Sequence, residues 1–395
     1  LEHAIPLWLQ AAERAIETSS HAEAIAHVTK AIELQGLLPV DGNLEDKLRS
    51  EITLQIRLGV SLTALRGYGA EEVERAYARA RELCYRINAQ DLLLPSVYGL
   101  WRFHLMRADY AGAGGLSQEL LQLARRFDSP EFLVVGQRAL GSSLFYTGKL
   151  QAARAAMDEV LSLPADQHQR VQAFRYDVVD ARVTAAAYRA WCAWLMGDDA
   201  AALRDSEQAI TTARELQHPF SHALSLSFAG WMHQFRGELS ALRAAAMEAL
   251  VIAHEHGFEF WIGWNEALLG WARAIEGDAA GGARQVAAGI QRWMGTGSQL
   301  GRSYFMALRV QALMRAEQWD EADAVLHEGL AFVERSGERF WEADLHRQRA
   351  LWLQARGGSA AEILAARERA LQVANEQGAL ALVKRCELSA QRSTP

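Results

Sequence analysis

A chain of 395 residues that is 50% hydrophobic and 23% charged has the composition of a folded protein. Its net charge of −7 argues against a nucleic-acid binder, which needs a basic face to displace counterions from phosphates. Cys84, Cys192 and Cys386 lie far apart and make no CxxC pair, which excludes a disulfide framework or a cysteine zinc site and fits a reducing, cytoplasmic setting. Ala, Leu, Arg, Glu and Gln outweigh Val and Ile, so the material favours helix over strand. No apolar run is long enough for a membrane span, and LEHAIPLWLQ lacks the basic start and apolar core of a signal peptide. The chain opens on Leu1, not Met, which reads as a piece cut from a longer protein.

In chain order, the predicted elements are pairs of helices around a recurring turn. The turns fall at Ser19 (SSHA), Gly67 (GYGA), Ala108 (ADYA), Gly148 (TGKL), Gly197 (GDDA), Gly237 (GELS), Gly277 (GDAA), Glu317 (EQWD) and Gly358 (GSAA). They stand about 40 residues apart, with longer gaps before Gly67 and Gly197, and a period in this range marks a repeat array. Within a pair, the first helix carries apolar residues at helical spacing, as in Ala223, Leu224, Leu226, Phe228, Trp231, Met232 and Phe235. The second follows the turn, as in Leu239, Leu242, Ala245, Ala246, Ala249, Leu250 and Ile252. Small residues recur where the two helices must approach: Ala153, Ala202 and Ala322 soon after the turn, Ala209, Ala249 and Ala370 two helical turns later. Such a pair cannot bury its own apolar face and must stack on its neighbours.

Proline placement agrees with this frame. Pro6, Pro95, Pro130 and Pro219 fall near the starts of first helices, where a missing N–H costs little. Pro39 and Pro164 fall in the two long connections; the second, over 162–180, is the expected irregularity in the series. The residues 1–395 are predicted to form a single array, with a capping helix over 379–389 and a frayed tail over 390–395.

The first pair, ERAIETSSHAEAIAHVTKAIEL (Glu13 to Leu34), has small residues at the turn followed by A-x-x-x-x-x-x-A-I spacing, and resembles the tetratricopeptide repeat. The pairs here are longer than the standard unit of about 34 residues. The resemblance implies an all-α, right-handed superhelical solenoid of about nine stretched repeats plus the C-terminal capping helix, with the first helices lining its concave face. The segment GERFWEADLHRQRALWLQARGGSAAEILAARERALQVANEQGALAL, Gly337 to Leu382, narrows this. It resembles the closing repeats of bacterial regulators that join a nucleotide cyclase domain and a STAND-type signalling ATPase domain to a C-terminal repeat region. The matching core is Gly337, Glu338, Arg339, Trp341, Glu342, Ala343, Leu345, His346 and Arg347; Ala350-Leu351 stands where that family more often has Gly-Glu. The resemblance implies a non-catalytic interaction and sensor module whose catalytic domains lie upstream.

No chemistry is legible in the residues themselves. A GxxxxGK[ST] phosphate loop is absent from the sequence, and MGTGSQLGR (Met294 to Arg302) reads as a connection between pairs. His254 and His256 read as a helix end stopped by Gly257, and HRQR (His346 to Arg349) as a solvated helix face. His104 and His222 read as satisfied helix residues. The expectation is no enzyme, no metal and no cofactor.

The distinctive feature is a tryptophan ladder. Trp191, Trp231 and Trp271 hold the same position in successive first helices, and Trp352 returns to it. Tyr188, Trp194, Phe235, Trp264 and Tyr304 join the same stretch, as do Trp261 and Trp341. Two readings stand side by side. The rings pack adjacent first helices, or they form an aromatic groove that binds a protein segment, a peptide or a small effector. The alternatives at the level of function are a passive scaffold that forms a homodimer and a peptide-pheromone receptor. Neither nucleic acid nor membrane is an expected partner.

Overall fold

The computed structural model describes residues 3–17, 20–37, 43–163 and 179–391. Among these residues the chain is all-α, with nineteen helices that make nine consecutive pairs and one closing helix. The predicted turn at Ser19, the prolines Pro39 and Pro164, most of the long connection over 162–180 and the tail from 392 lie outside the described residues. Contacts divide the chain into two compact units, Leu1–Phe132 with Gly295–Ser298, and Leu133–Met294 with Gln299–Pro395.

The first unit holds α1 (Ala4–Glu17), α2 (His21–Gly36), α3 (Leu44–Arg66), α4 (Glu71–Ile87), α5 (Gln90–Met106) and α6 (Tyr110–Phe127). The α4 segment shows why these residues become helices. Val73, Ala76, Tyr77, Ala80, Leu83 and Cys84 are buried at three- and four-residue spacing, which gives one apolar stripe. Glu71, Glu72 and Glu74 stand in the first turn, where negative charge complements the helix dipole, and Asn88 ends the helix in the left-handed conformation. The ring of Tyr77 is clamped between neighbouring backbones. A Cβ on Gly59 of α3 would lie 2.7 Å from it, and a Cβ on Gly99 of α5 would lie 2.4 Å from it.

The second unit holds most of α7 (Pro130–Tyr146), then α8 (Leu150–Ser162), α9 (Ala181–Leu195), α10 (Asp199–Glu215), α11 (Pro219–Arg236), α12 (Leu239–His256), α13 (Glu259–Ile275), α14 (Ala279–Gly295), α15 (Arg302–Arg315), α16 (Trp319–Ser336), α17 (Glu342–Ala355), α18 (Ala360–Glu376) and α19 (Leu380–Gln391). The first helices α9, α11, α13 and α15 are buried on nearly every side. This is what a helix that is apolar all round requires. The second helices bury one stripe and expose the other: α12 buries Leu242, Ala245, Ala246, Ala249 and Ala253. Within the α13–α14 pair the backbones almost touch. A Cβ on Gly263 would lie 2.5 Å from the amide nitrogen of Trp293, and one on Gly289 would lie 2.5 Å from that of Ala267.

The left-handed residues keep a finer beat than the predicted turns. Positive φ occurs at Gly67, Asn88, Ala108, Asp128 and Gly148, and then at Gly197, Gln217, Gly237, Gly257, Gly277, Gly297, Glu317, Gly337, Gly357 and Gly378. From α3 to α7 and from α9 to α18 each helix is followed by one such residue, whether the turn lies inside a pair or between pairs, whereas α2 ends at the right-handed Leu37 and α8 at the extended Leu163. A left-handed residue lets the last carbonyls be capped while the chain reverses. His256 indeed ends α12 at the left-handed Gly257.

One expectation is corrected here. HRQR is not a solvated face, because α17 is covered by its neighbours: Gln348 is buried and Arg347 pairs with the fully buried Asp344 at 2.8 Å.

Candidate functional site

In the second unit, residues far apart in sequence meet in one aromatic interior. Trp191 on α9 stacks on Trp231 of α11 at 4.6 Å, with ring planes 21° apart. Trp231 stacks in turn on Trp264 of α13 at 4.3 Å and 15°. Phe228 faces Trp191 at 4.0 Å, and Tyr304 of α15 leans on Trp231 at 4.0 Å. A second layer runs from Trp194 to Phe235 at 5.0 Å and from Phe235 to Trp341 at 4.8 Å. Offset and tilted rings at these separations are the favoured arrangements of aromatic quadrupoles.

Two further segments of the second unit, 339–340 and α19, close this interior. The amides of Arg339 and Phe340 both donate to the carbonyl of Tyr146 at the end of α7, at 2.8 and 3.2 Å. Phe340 then packs 5.0 Å from Phe145 and lies nearly parallel to Trp231 at 6.0 Å. From the far end, Arg385 of α19 sets its guanidinium 4.9 Å from the Trp194 ring and 5.6 Å from the Trp341 ring. It also donates to the carbonyl of Phe235 and lies 3.8 Å from the Asp344 carboxylate.

The groove candidates are therefore buried. Tyr188, Trp191, Trp194, Trp231, Phe235, Trp264, Trp271 and Tyr304 are each at most 7% exposed, and Trp352 is half-buried. The rings are core, and they present no face to an incoming ligand. The structure brings together seven of the nine: Trp271 stands apart, donating its indole N–H to Gln311 at 2.9 Å, and Trp352 donates to the carbonyl of Trp319 at 2.9 Å beneath Arg349. Most polar groups inside are paired. Trp191 donates to the Phe228 carbonyl at 2.9 Å, Tyr188 to the Tyr146 hydroxyl at 3.1 Å, and Tyr304 to Gln234 at 3.1 Å. The indole N–H groups of Trp231 and Trp341 find no acceptor among the described residues.

The GERFWEADLHR segment accounts for much of the closure. Glu338, wholly buried, accepts from the amides of Gly301 and Ser303 at 2.8 and 2.7 Å, so the amides that open α15 are held by a carboxylate of the chain. Glu342 takes Arg339 at 2.7 Å and Arg369 at 2.9 Å. Burial alone would raise its pKa, but the hydrogen bonds of His346 and Arg339 and the charges of Arg339 and Arg369 hold it down at about 2. Asp344 follows the same logic: burial opposes its charge, and Arg347, Arg385 and Gln348 keep it below the usual carboxylate range. Burial pushes the Tyr304 hydroxyl far up, so it stays a donor to Gln234.

Sequence reasoning missed Phe145, Tyr146, Phe228, Phe305, Phe340, Asp344 and Arg385. Phe340 had a signal, since it sits beside Trp341 in the matched motif. Arg385 had none, because the reading of 379–389 as a capping helix does not mark which of its side chains reaches the interior.

The first unit carries open concavities instead. One of about 370 Å³ is lined by Ile25, Leu58, Leu62 and Ala76 with Arg66, Glu72, Arg75 and Arg79 around them. A second of about 430 Å³ lies between Glu71, Glu74, Arg75, Phe103, His104, Arg107 and Asp109. Most of the charge is already spoken for: Arg66 pairs with Glu72 at 2.6 Å, Arg79 with Glu51 at 2.8 Å and His104 with Asp109 at 2.7 Å.

No protein-family model matches the chain. Over 392 residues it is 24% identical to an uncharacterised protein of Rhizobium meliloti (strain 1021), an alignment that takes in 98% of this chain and 37% of that protein. The chain thus spans well under half the length of the curated relative it matches. Among solved structures it is similar to a Rap protein complexed with Competence and Sporulation Factor, with a TM-score of 0.65 at 12% identity, covering 95% of this chain and 99% of that one. It is also similar to aspartyl phosphate phosphatase F from Bacillus subtilis, with a TM-score of 0.51 at 12% identity and 95% of each chain covered. At this level of identity the likeness shows the fold, which is all-α and tetratricopeptide-like. Among the described residues no helix is long and apolar enough to cross a membrane.

Proposed function

We propose that the chain is the non-catalytic interaction and sensor region of a larger bacterial signalling protein. On this reading the aromatic interior of the second unit takes a protein segment, a peptide or a small effector when the array opens. One observation carries it: two indole donors, those of Trp231 and Trp341, are sealed among aromatic rings without an acceptor. A buried donor left unpaired costs about 1–3 kcal/mol, and a ligand carbonyl or carboxylate in the opened interior would recover that energy. The likeness in fold to a Rap protein complexed with Competence and Sporulation Factor supports a ligand-binding reading. The extent of the Rhizobium meliloti protein beyond the aligned part, together with the Gly337–Leu382 motif, supports cyclase or STAND-type ATPase domains elsewhere in the parent protein.

The test is a panel of synthetic peptides and nucleotide-like effectors screened by melting temperature, since a ligand that binds only the folded state raises Tm with concentration. A ligand of the proposed kind protects amides of α9, α11 and α15 from exchange. It also binds at least tenfold more weakly to Trp231→Phe, which keeps a ring and removes the donor. Protection confined to the outer surface of the second helices sinks this reading.

A second reading, a passive scaffold that forms a homodimer, has its own observation. Met247 and Val251 stand one turn apart on α12 and are 58% and 67% exposed. Sedimentation that gives a dimer, reduced to monomer by Val251→Lys, would favour it.

A further inference from the structure

The guanidinium of Arg385 occupies a site built from parts that are each suited to a cation. The faces of Trp194 and Trp341 flank it, the Phe235 carbonyl accepts from it, and the fully buried Asp344 carboxylate stands 3.8 Å away. Cation–π attraction, a carbonyl acceptor and a carboxylate together recognise a guanidinium by charge, plane and donor direction. Trp194, Trp341 and Asp344 are at most 7% exposed, so the site is rigidly walled, whereas the Arg385 side chain is one-quarter exposed and lies at its mouth.

The element that delivers Arg385 is lightly held. Within the twelve residues of α19, Leu382 and Cys386 are the buried ones, and Leu380 and Leu388 remain 58% and 43% exposed. An element with so few buried contacts opens at a lower free energy than the core around it. A site that a helix of this chain fills with one arginine also fits an arginine carried on a helix of another chain.

We propose that the pocket of Trp194, Phe235, Trp341 and Asp344 is a guanidinium-recognition site, and that an arginine-bearing helical segment of a partner protein enters it by displacing α19. The proposal rests on the interaction reading above and adds the chemistry of the partner: one arginine presented on a short amphipathic helix. The resident helix lowers the apparent affinity by the fraction of time the site is vacant.

The experiment uses the full chain and a fluorescein-labelled synthetic peptide of residues 379–391. The Arg385→Ala chain should bind this peptide saturably and at least tenfold tighter than the wild-type chain does. The same peptide carrying Arg385→Gln should bind the Arg385→Ala chain at least tenfold more weakly. In the wild-type chain, which tests the point without any variant, α19 amides should exchange at least 100-fold faster than those of α15 and without global unfolding. Equal binding by both chains, loss of the arginine requirement, or α19 exchange only through global unfolding would each overturn the assignment. A ligand found in the Tm screen that seats in the interior without an arginine would also overturn it, while leaving the interaction reading standing.

Discussion

Trp191 and Trp231, which hold equivalent positions in successive first helices, are stacked face to face at 4.6 Å with both rings wholly buried. The ladder is thus a load of apolar surface shared between neighbouring pairs, and its removal is felt as lost core. Trp231 touches rings from α9, α13, α15 and the 337–341 turn, so no single neighbour can relax into the space it leaves. Trp231→Ala should cost about 3–5 kcal/mol. Trp231→Phe should cost much less than that, because it also removes a donor that has no acceptor. Chemical denaturation of the two variants, followed by helix content, checks the ordering; equal losses would refute it.

The pairing of helices was legible in the sequence, and the closing of the interior was not. The 40-residue beat showed because the turn inside most pairs is a glycine, as at Gly148, Gly197, Gly237 and Gly277. The alternate turns, between pairs, use Asn88, Asp128 and Gln217 before Gly257, Gly297, Gly337 and Gly378 take the same left-handed geometry, and the non-glycine residues hide the finer period over the first part of the chain. The sequence singles out Trp191, Trp231 and Trp264, and in the structure their rings stack on one another in the interior. Whether such rings are groove or core depends on which distant residues cover them, and those are the Tyr146 carbonyl, Phe340 and Arg385. Local periodicity carries no information about such long-range closure, since covering residues and covered residues follow the same helical pattern.

The contact between α13 and α14 makes glycine content there a stability matter. At Gly289 an added methyl would meet the backbone nitrogen of Ala267 at 2.5 Å, and backbone cannot rotate out of the way as a side chain can. Gly289→Ala should therefore destabilise by about 1–3 kcal/mol, the usual cost of overpacking, despite alanine's better helix propensity. Gly114 of α6 gives the opposite sign, because nothing lies within 4 Å of its added Cβ. Gly114→Ala should stabilise by about 0.5–1 kcal/mol through the unfolded chain's lost freedom. Urea midpoints of the two variants test both signs.

Glu338 tests whether the matched motif works through capping. Its two oxygens hold the amides of Gly301 and Ser303 in a buried place. Glu338→Ala leaves both donors unpaired at about 1–3 kcal/mol each. Glu338→Gln should be nearly as harmful, because its amide NH2 must face one N–H with another. Hydrogen exchange at the first turn of α15 should accelerate in both variants; a Gln variant with wild-type protection would contradict the capping account.

Glu342 links the same motif to pH. Its side chain is 6% exposed and flanked by Arg339 and Arg369, and its pKa lies at about 2 in the folded chain against an ordinary 4.5. A depressed carboxylate stabilises the fold in its charged form. The contribution is fully present above about pH 4.5 and is lost as pH falls toward about 2, because the unfolded chain takes up the proton first. The shift is worth at most about 3 kcal/mol, less whatever solvent reaching the two half-exposed arginines screens away. Glu342→Gln should flatten the stability profile between those limits and leave the slope above pH 5 unchanged. Arg339→Gln should raise the Glu342 pKa toward its ordinary value and so shrink the acid-dependent loss, moving its lower limit to higher pH while its onset near pH 4.5 stays, since the charge and hydrogen bond that hold the carboxylate down are then gone. Urea titrations at intervals from pH 2.5 to 7 read both effects, and a wild-type acid limb in both variants would show that Glu342 is not the group that titrates.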